Sequence, residues 1–161
     1  MKRPFVAEGY SFSRPANTTA YVAGDAVSNS ATDGLVGAMR WTMERDATLL
    51  LERLRLTTSD TGFADIAVRA WVFSGSPQAD GGIAGADNEA FSVKRGNFLG
   101  TMSGILFTFS DGAAGVLTPD DGSRIIHFPS SNIFVLLETL SAATPLSGST
   151  FKGVLEGELD S

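Results

Sequence analysis

The sequence predicts an all-β protein, an antiparallel two-sheet sandwich with an extended N-terminal arm. Three observations carry this. Apolar residues come in short runs, several of them alternating with polar residues, and the runs are bounded by clusters of Gly, Pro, Asn, Asp or Ser. Glycine supplies 18 of the 161 residues, well above the usual ~7%, and with frequent Ser and Thr this composition suits turns and pleated surfaces. At 43% hydrophobic and 19% charged residues the chain is too apolar for disorder, yet it holds no apolar run of about 18 residues that could span a bilayer. The length fits one domain, so residues 1–18 are read as the arm and residues 19–161 as a single sandwich domain.

The arm, Met1 to Thr18, spaces Phe5, Tyr10 and Phe12 among Pro4, Gly9, Arg14 and Pro15 without a helical or sustained two-residue period. Such a segment either docks its aromatics on a neighbouring subunit or lies as a first strand on its own core. Thr19 to Ala23 is a short β-like run ending at Gly24-Asp25, and Leu35 to Met43 follows the Asp33-Gly34 turn. From Leu49 to Leu56, Leu50, Leu54 and Leu56 share one face and Arg53 and Arg55 the other, the pattern of a half-buried strand. A helix from Thr48 to Leu56 is the alternative, but the Thr57-Thr58-Ser59-Asp60 cluster arrives early for one.

Ile66 to Phe73 reads as the clearest strand. Its apolar residues fall on both faces, which implies cover on both sides and places Trp71 in the core. Ser74 to Asn88 then reads as one long loop, a length often given to function or to an interaction surface. Runs at Phe91 to Val93, Leu99 to Phe109 and Gly115 to Leu117 follow. Pro119-Asp120-Asp121-Gly122 suits a turn that sends Arg124 to Phe128 back as a hairpin arm. Asn132 to Leu140 reads as the last core strand, and Thr150 to Leu159 as an added one whose Glu156, Glu158 and Asp160 form a solvated edge that blocks aggregation. Eight to ten short strands with little helix point to a jelly-roll-like sandwich.

Composition excludes much chemistry. With 12 Lys and Arg against 18 Asp and Glu the net charge is −6, so nucleic acid and anionic lipid surfaces are disfavoured partners. The absence of cysteine removes disulfides, thiolate metal sites and cysteine nucleophiles. A single histidine, His127, removes the multi-histidine metal sites. No GxSxG elbow accompanies it, so a structural histidine on the strand face opposite Ile126 and Phe128 is the reading. Asp80 to Glu89 offers the oxygen ligands calcium prefers, but lacks the EF-hand spacing and reads as a solvated turn. Trp41 and Trp71 are candidates for stacking on sugars, as in a lectin-like sandwich. No phosphate loop or dinucleotide fingerprint is present, so no cofactor, metal or catalytic set is assigned, and the chain is read as not an enzyme. The Met1-Lys2-Arg3 start lacks the apolar stretch of a signal peptide, which gives an expectation of cytoplasmic synthesis.

Thr19 to Ser28, Leu54 to Ser59, Ala86 to Ser92 and Leu99-Gly100-Thr101 resemble a group of small structural proteins of tailed bacteriophages, encoded among head genes. The resemblance spans residues 19 to 140. It implies a virion protein, a capsid decoration or cement protein on the capsid exterior that binds the major capsid protein and itself, as a dimer or trimer. The candidate partner-binding residues are Phe5, Tyr10, Phe12 and Arg14 of the arm and Asp80 and Asp87 of the long loop. The alternative is a tail- or fibre-associated carbohydrate-binding module that uses the Ser74 to Asn88 loop.

Overall fold

The computed structural model describes residues 1–7, 9–32, 36–43, 47–77, 86–127 and 132–160. These residues form β1 (Lys2–Val6), β2 (Tyr10–Ser13), β3 (Ala26–Val27), β4 (Met39–Thr42), β5 (Thr48–Thr58), β6 (Ile66–Phe73), β7 (Phe98–Phe109), β8 (Gly112–Pro119), β9 (Ile125–His127), β10 (Asn132–Thr139) and β11 (Thr150–Asp160). A single 3-10 turn, Thr61–Phe63, is capped by the Asp60 side chain accepting from the Gly62 amide. The all-β expectation holds. Every ladder is antiparallel.

The eleven strands form one continuous hydrogen-bonded sheet, in which eight follow the path β1-β11-β5-β8-β7-β6-β10-β3 and β2 pairs with β11, β4 with β10 and β9 with β5, so the two halves of the expected sandwich are joined. The reason is β8, which pairs with β5 along one edge and with β7 along the other. One apolar cluster takes Leu49, Leu51, Leu54, Leu56, Phe151 and Leu155 from one half of the path and Val68, Ala70, Val72, Ile133 and Val135 from the other. The sheet therefore wraps round a shared interior, and its two ends meet where Tyr10 lies 6.2 Å from Trp41. Glycines in the central hairpin allow the close approach this needs. A Cβ on Gly104 would come 2.4 Å from the Val116 carbonyl oxygen, and one on Gly115 2.3 Å from that of Ile105.

Several local expectations are corrected. The strand at 49–56 is present, but Leu49 and Leu51 face the core with Leu54 and Leu56, while Leu50 turns outward. The β5–β11 register shifts between Glu156 and Gly157, and this bulge inserts one residue, Glu52, that reverses the alternation. Thr19 to Ala23 makes only an isolated bridge, Tyr21 to Ala143, and Phe91 to Val93 is not strand. The 35–43 run shrinks to β4, and its residue 35 lies outside the described residues. β8 and β9 do not form a hairpin with each other: both lie along β5, at Leu54–Thr58 and Leu49–Leu51. Nor is β11 an edge strand, since β1 and β2 flank it on one side and β5 on the other. Glu156 there is bound by Arg53 and Arg55, and Glu158 by Arg124.

The first segment packs on its own sheet. Phe5 and Phe12 join the main cluster, and the Phe12 ring stacks on Phe151 at 5.5 Å. Trp71 lies outside the main core, in a second cluster, stacked on Phe91 at 5.1 Å with its indole N–H donating to Glu138 at 2.8 Å. His127 is buried, and its Nε2 donates to the Asn132 carbonyl at 3.1 Å. Burial, opposed by that bond, holds the imidazole below its ordinary range. The unfolded chain takes up a proton near pH ~6.5 while the folded chain resists it. His127 therefore favours folding above that pH and opposes it increasingly as pH falls below. Urea midpoints measured from pH ~7 to ~5 should decline, and the decline should be shallower in His127→Gln.

Candidate interaction surface

Two of the sequence candidates, Arg14 and Asp87, are drawn into the interior. Both side chains have zero exposure, and Arg14 Nη2 donates to Asp87 Oδ2 at 2.8 Å. Arg14 Nε donates to the Tyr21 hydroxyl, which donates in turn to Asp87 Oδ1. Arg14 Nη1 reaches the Leu146 carbonyl at 3.0 Å. Asp87 also accepts from the Ser28 amide at 3.0 Å and from Asn88 Nδ2 at 3.2 Å.

A second buried carboxylate, Asp60, accepts from the Leu146 amide at 2.9 Å and from the Ser149 hydroxyl at 2.6 Å, and lies 4.0 Å from Arg14. Burial disfavours the Arg14 charge, but Asp87 and Tyr21 outweigh it and raise the guanidinium pKa. Burial together with the Asp87 charge pushes the Tyr21 phenol well above its ordinary value. This network ties the N-terminal segment to the 86–88 loop and to the 146–149 connection. Its polar groups are spent on one another rather than presented to a partner. Asp80 lies outside the described residues. Tyr10, at 37% exposure, is the most exposed aromatic of the first segment.

The surface that sequence reasoning missed is the outer face of the β7–β8 hairpin. Along β7 the inward residues are Met102 and Leu106, so Ile105, Phe107 and Phe109 face out at 50%, 62% and 53% exposure. Ala114 pairs with Phe107, and Val116, 40% exposed, continues the stripe. The signal in the sequence was an alternating run with large apolar residues at both parities, which reads as cover on both faces. Here the outer face has no cover among the described residues. Several other outward positions are polar and paired: Glu156 with Arg53 and Arg55, Arg124 with Glu52 at 2.7 Å, and Arg69 with Asp120 at 3.4 Å. Hydrogen bonds from Arg55 and Arg53, opposed by partial desolvation, hold Glu156 below the usual carboxylate range.

Beside the stripe lies an open groove of about 710 Å³. Its lining includes Ser11, Ser13, Thr57, Ser59, Thr150 and Lys152 from β2, β5 and β11 and the residues after them, with Phe109 and Asp111 from the β7–β8 hairpin. Among the described residues, no group of three or more His, Cys, Asp or Glu is placed to hold a metal ion, and no helix is long and apolar enough to cross a membrane.

The fold and this surface define an all-β antiparallel protein with an exposed apolar stripe. No protein-family model matches the sequence, and no curated protein matches it. Among solved structures, the chain is similar to the capsid of Ralstonia phage GP4, with 17% identity and a TM-score of 0.42 over 92% of this chain and 81% of that one. It is also similar to a chain of the cyanophage Pam1 capsid asymmetric unit, with 13% identity and a TM-score of 0.38 over 97% and 85%. A third is the CBM36-1 domain of a multidomain xylanase from the hindgut metagenome of Trinervitermes trinervoides, with 8% identity and a TM-score of 0.36 over 99% and 98%. At such identities and scores no function passes from those proteins to this chain.

Proposed function

We propose that the chain is a bacteriophage virion structural protein, a decoration or cement protein that binds the outside of the major capsid protein shell and stabilises it without turnover. The carrying observation is the stripe Ile105, Phe107, Phe109 and Val116. Four large apolar side chains adjoin on neighbouring strands of one exterior face, and such a patch marks contact with protein. The resemblance of residues 19–28, 54–59, 86–92 and 99–101 to head-gene proteins of tailed phages supplies the virion context. The net charge of −6 suits a position away from the packaged genome. Small contacts repeated over a shell add up through multivalency, so each need only be modest.

The test is co-sedimentation of the purified protein with undecorated, expanded phage heads. Saturable binding at a fixed ratio to the major capsid protein is the expected result. No retention on intact heads would remove the cement reading.

The groove favours a second reading, a carbohydrate-binding module, because Phe109 lines it together with several Ser and Thr residues, the pairing of a ring with hydroxyls that sugar sites use. Asp87 cannot serve as its calcium ligand while it is bound to Arg14. Soluble oligosaccharide binding that is lost in Phe109→Ala would move the assignment there.

A further inference from the structure

We propose that the outer face centred on β8 is closed by a second copy of this chain, the two sheets packed face to face about a two-fold axis parallel to β8. The inference rests on reading the stripe as a protein-docking surface and names its occupant. It makes the stripe an assembly contact between copies, so the shell would be met by other surfaces of the dimer, and shell binding is tested separately by co-sedimentation with heads.

Across this face the strands run β11, β5, β8, β7, β6. One outward row reads Lys152, Thr57, Ala114, Phe107. Asp65 ends it beyond the start of β6, its amide donating to the Leu106 carbonyl at 2.7 Å. The next row reads Val154, Arg55, Val116 and then Ile105 and Ala67. A two-fold axis along β8 keeps each row level and exchanges its left and right halves. Ala114 then meets Ala114 of the second copy, and Val116 meets Val116.

Phe107 lands over Thr57 of the second copy and Phe109 over its Ser59 and Thr150, which is the groove of about 710 Å³. Projecting rings on one side of β8 and a trough on the other are thus self-complementary, as an isologous contact requires. Charge agrees. Lys152 faces Asp65 of the second copy, and both are exposed and make no ion pair among the described residues. In the row beyond Val116, Glu156 faces Arg69. A two-fold axis across the strands would instead set Lys152 against Lys152 and ring against ring, with the groove unfilled.

The footprint is small. Four strand spacings of ~4.8 Å and a similar length along the strands give about 400 Å² per copy, half the ~800 Å² of a standard interface. A reversible, concentration-dependent dimer is the expectation.

Sedimentation equilibrium of the full chain from about 1 to 200 µM tests this, since the weak-complex range lies there. The wild type should pass from monomer to dimer. Lys152→Glu and Asp65→Lys should each weaken the dimer about tenfold or more, because each sets like charges together twice. The combined Lys152→Glu/Asp65→Lys variant should return to within about threefold of wild type. Thermal midpoints of all three, matched to wild type, show that the fold is intact. A strict monomer, an oligomer other than a dimer, or folded single variants that dimerise like wild type would overturn the proposal. Failure of the swap to rescue would do so as well. A dimer that ignores phage heads would leave this inference standing and remove the shell, while a monomer retained on heads would do the reverse.

Discussion

Asp87→Ala is expected to destabilise the protein by about 3–5 kcal/mol, the range for removing one member of a buried ion pair and stranding the other. Asp87 carries more than the charge of Arg14. The Tyr21 hydroxyl, the Ser28 amide and Asn88 Nδ2 all donate to its two oxygens, and the buried Tyr21 hydroxyl and Ser28 amide would lose the acceptor they have there. In a domain of this size that cost corresponds to a fall of roughly 6–20 °C in the melting midpoint. Calorimetry of Asp87→Ala, Arg14→Ala and the double variant separates the pair from its surroundings. The double variant should cost clearly less than the sum of the singles, since each single strands a charge that the double removes. Strict additivity would show that Arg14 and Asp87 act independently, against the geometry.

Asp87 also shows what the sequence made legible and what it did not. The strands at 66–73, 99–109, 132–140 and 150–159 were readable because each is a short apolar-rich run bounded by turn residues, a signal that local sequence carries. What failed depends on pairing between distant segments. Nothing near Leu50 announces the bulge at Glu52, because a bulge is a property of the β5–β11 ladder. The place of β11 inside the sheet follows from β1 and β2 returning to it from the other end of the chain.

Arg14 and Asp87 were legible as notable charges, on a flexible arm and in a long loop, positions that suggest exposure. They are 73 positions apart, and only the folded sheet brings them together. Tyr21 and Asp87 lie within the phage-like motifs, so part of that resemblance belongs to a buried scaffold. The apolar stripe was hidden for a different reason. A strand that is apolar on both faces reads the same whether its outer face is covered by its own chain or left for another molecule.

Deleting residues 1–18 is expected to abolish soluble, folded protein, which makes it unsuitable as a test of shell binding. The deletion removes β1 and β2, and so opens the whole edge of β11 from Thr150 to Asp160, a row of unpaired backbone groups that templates aggregation. It strips the Phe12 ring from Phe151, and it takes Arg14 away from Asp60 and Asp87, leaving two carboxylates buried without their cation. Deleting residues 1–7 alone is a milder change. β2 and Arg14 remain, and the loss should be about 1.5–3 kcal/mol, near the worth of burying the Phe5 ring. Far-UV circular dichroism, gel filtration and urea melts of the two truncations discriminate. A chain lacking residues 1–18 that stayed soluble and melted cooperatively at the wild-type midpoint would show that this segment is an arm after all. Its effect on retention by phage heads would then be a direct measure of shell contact.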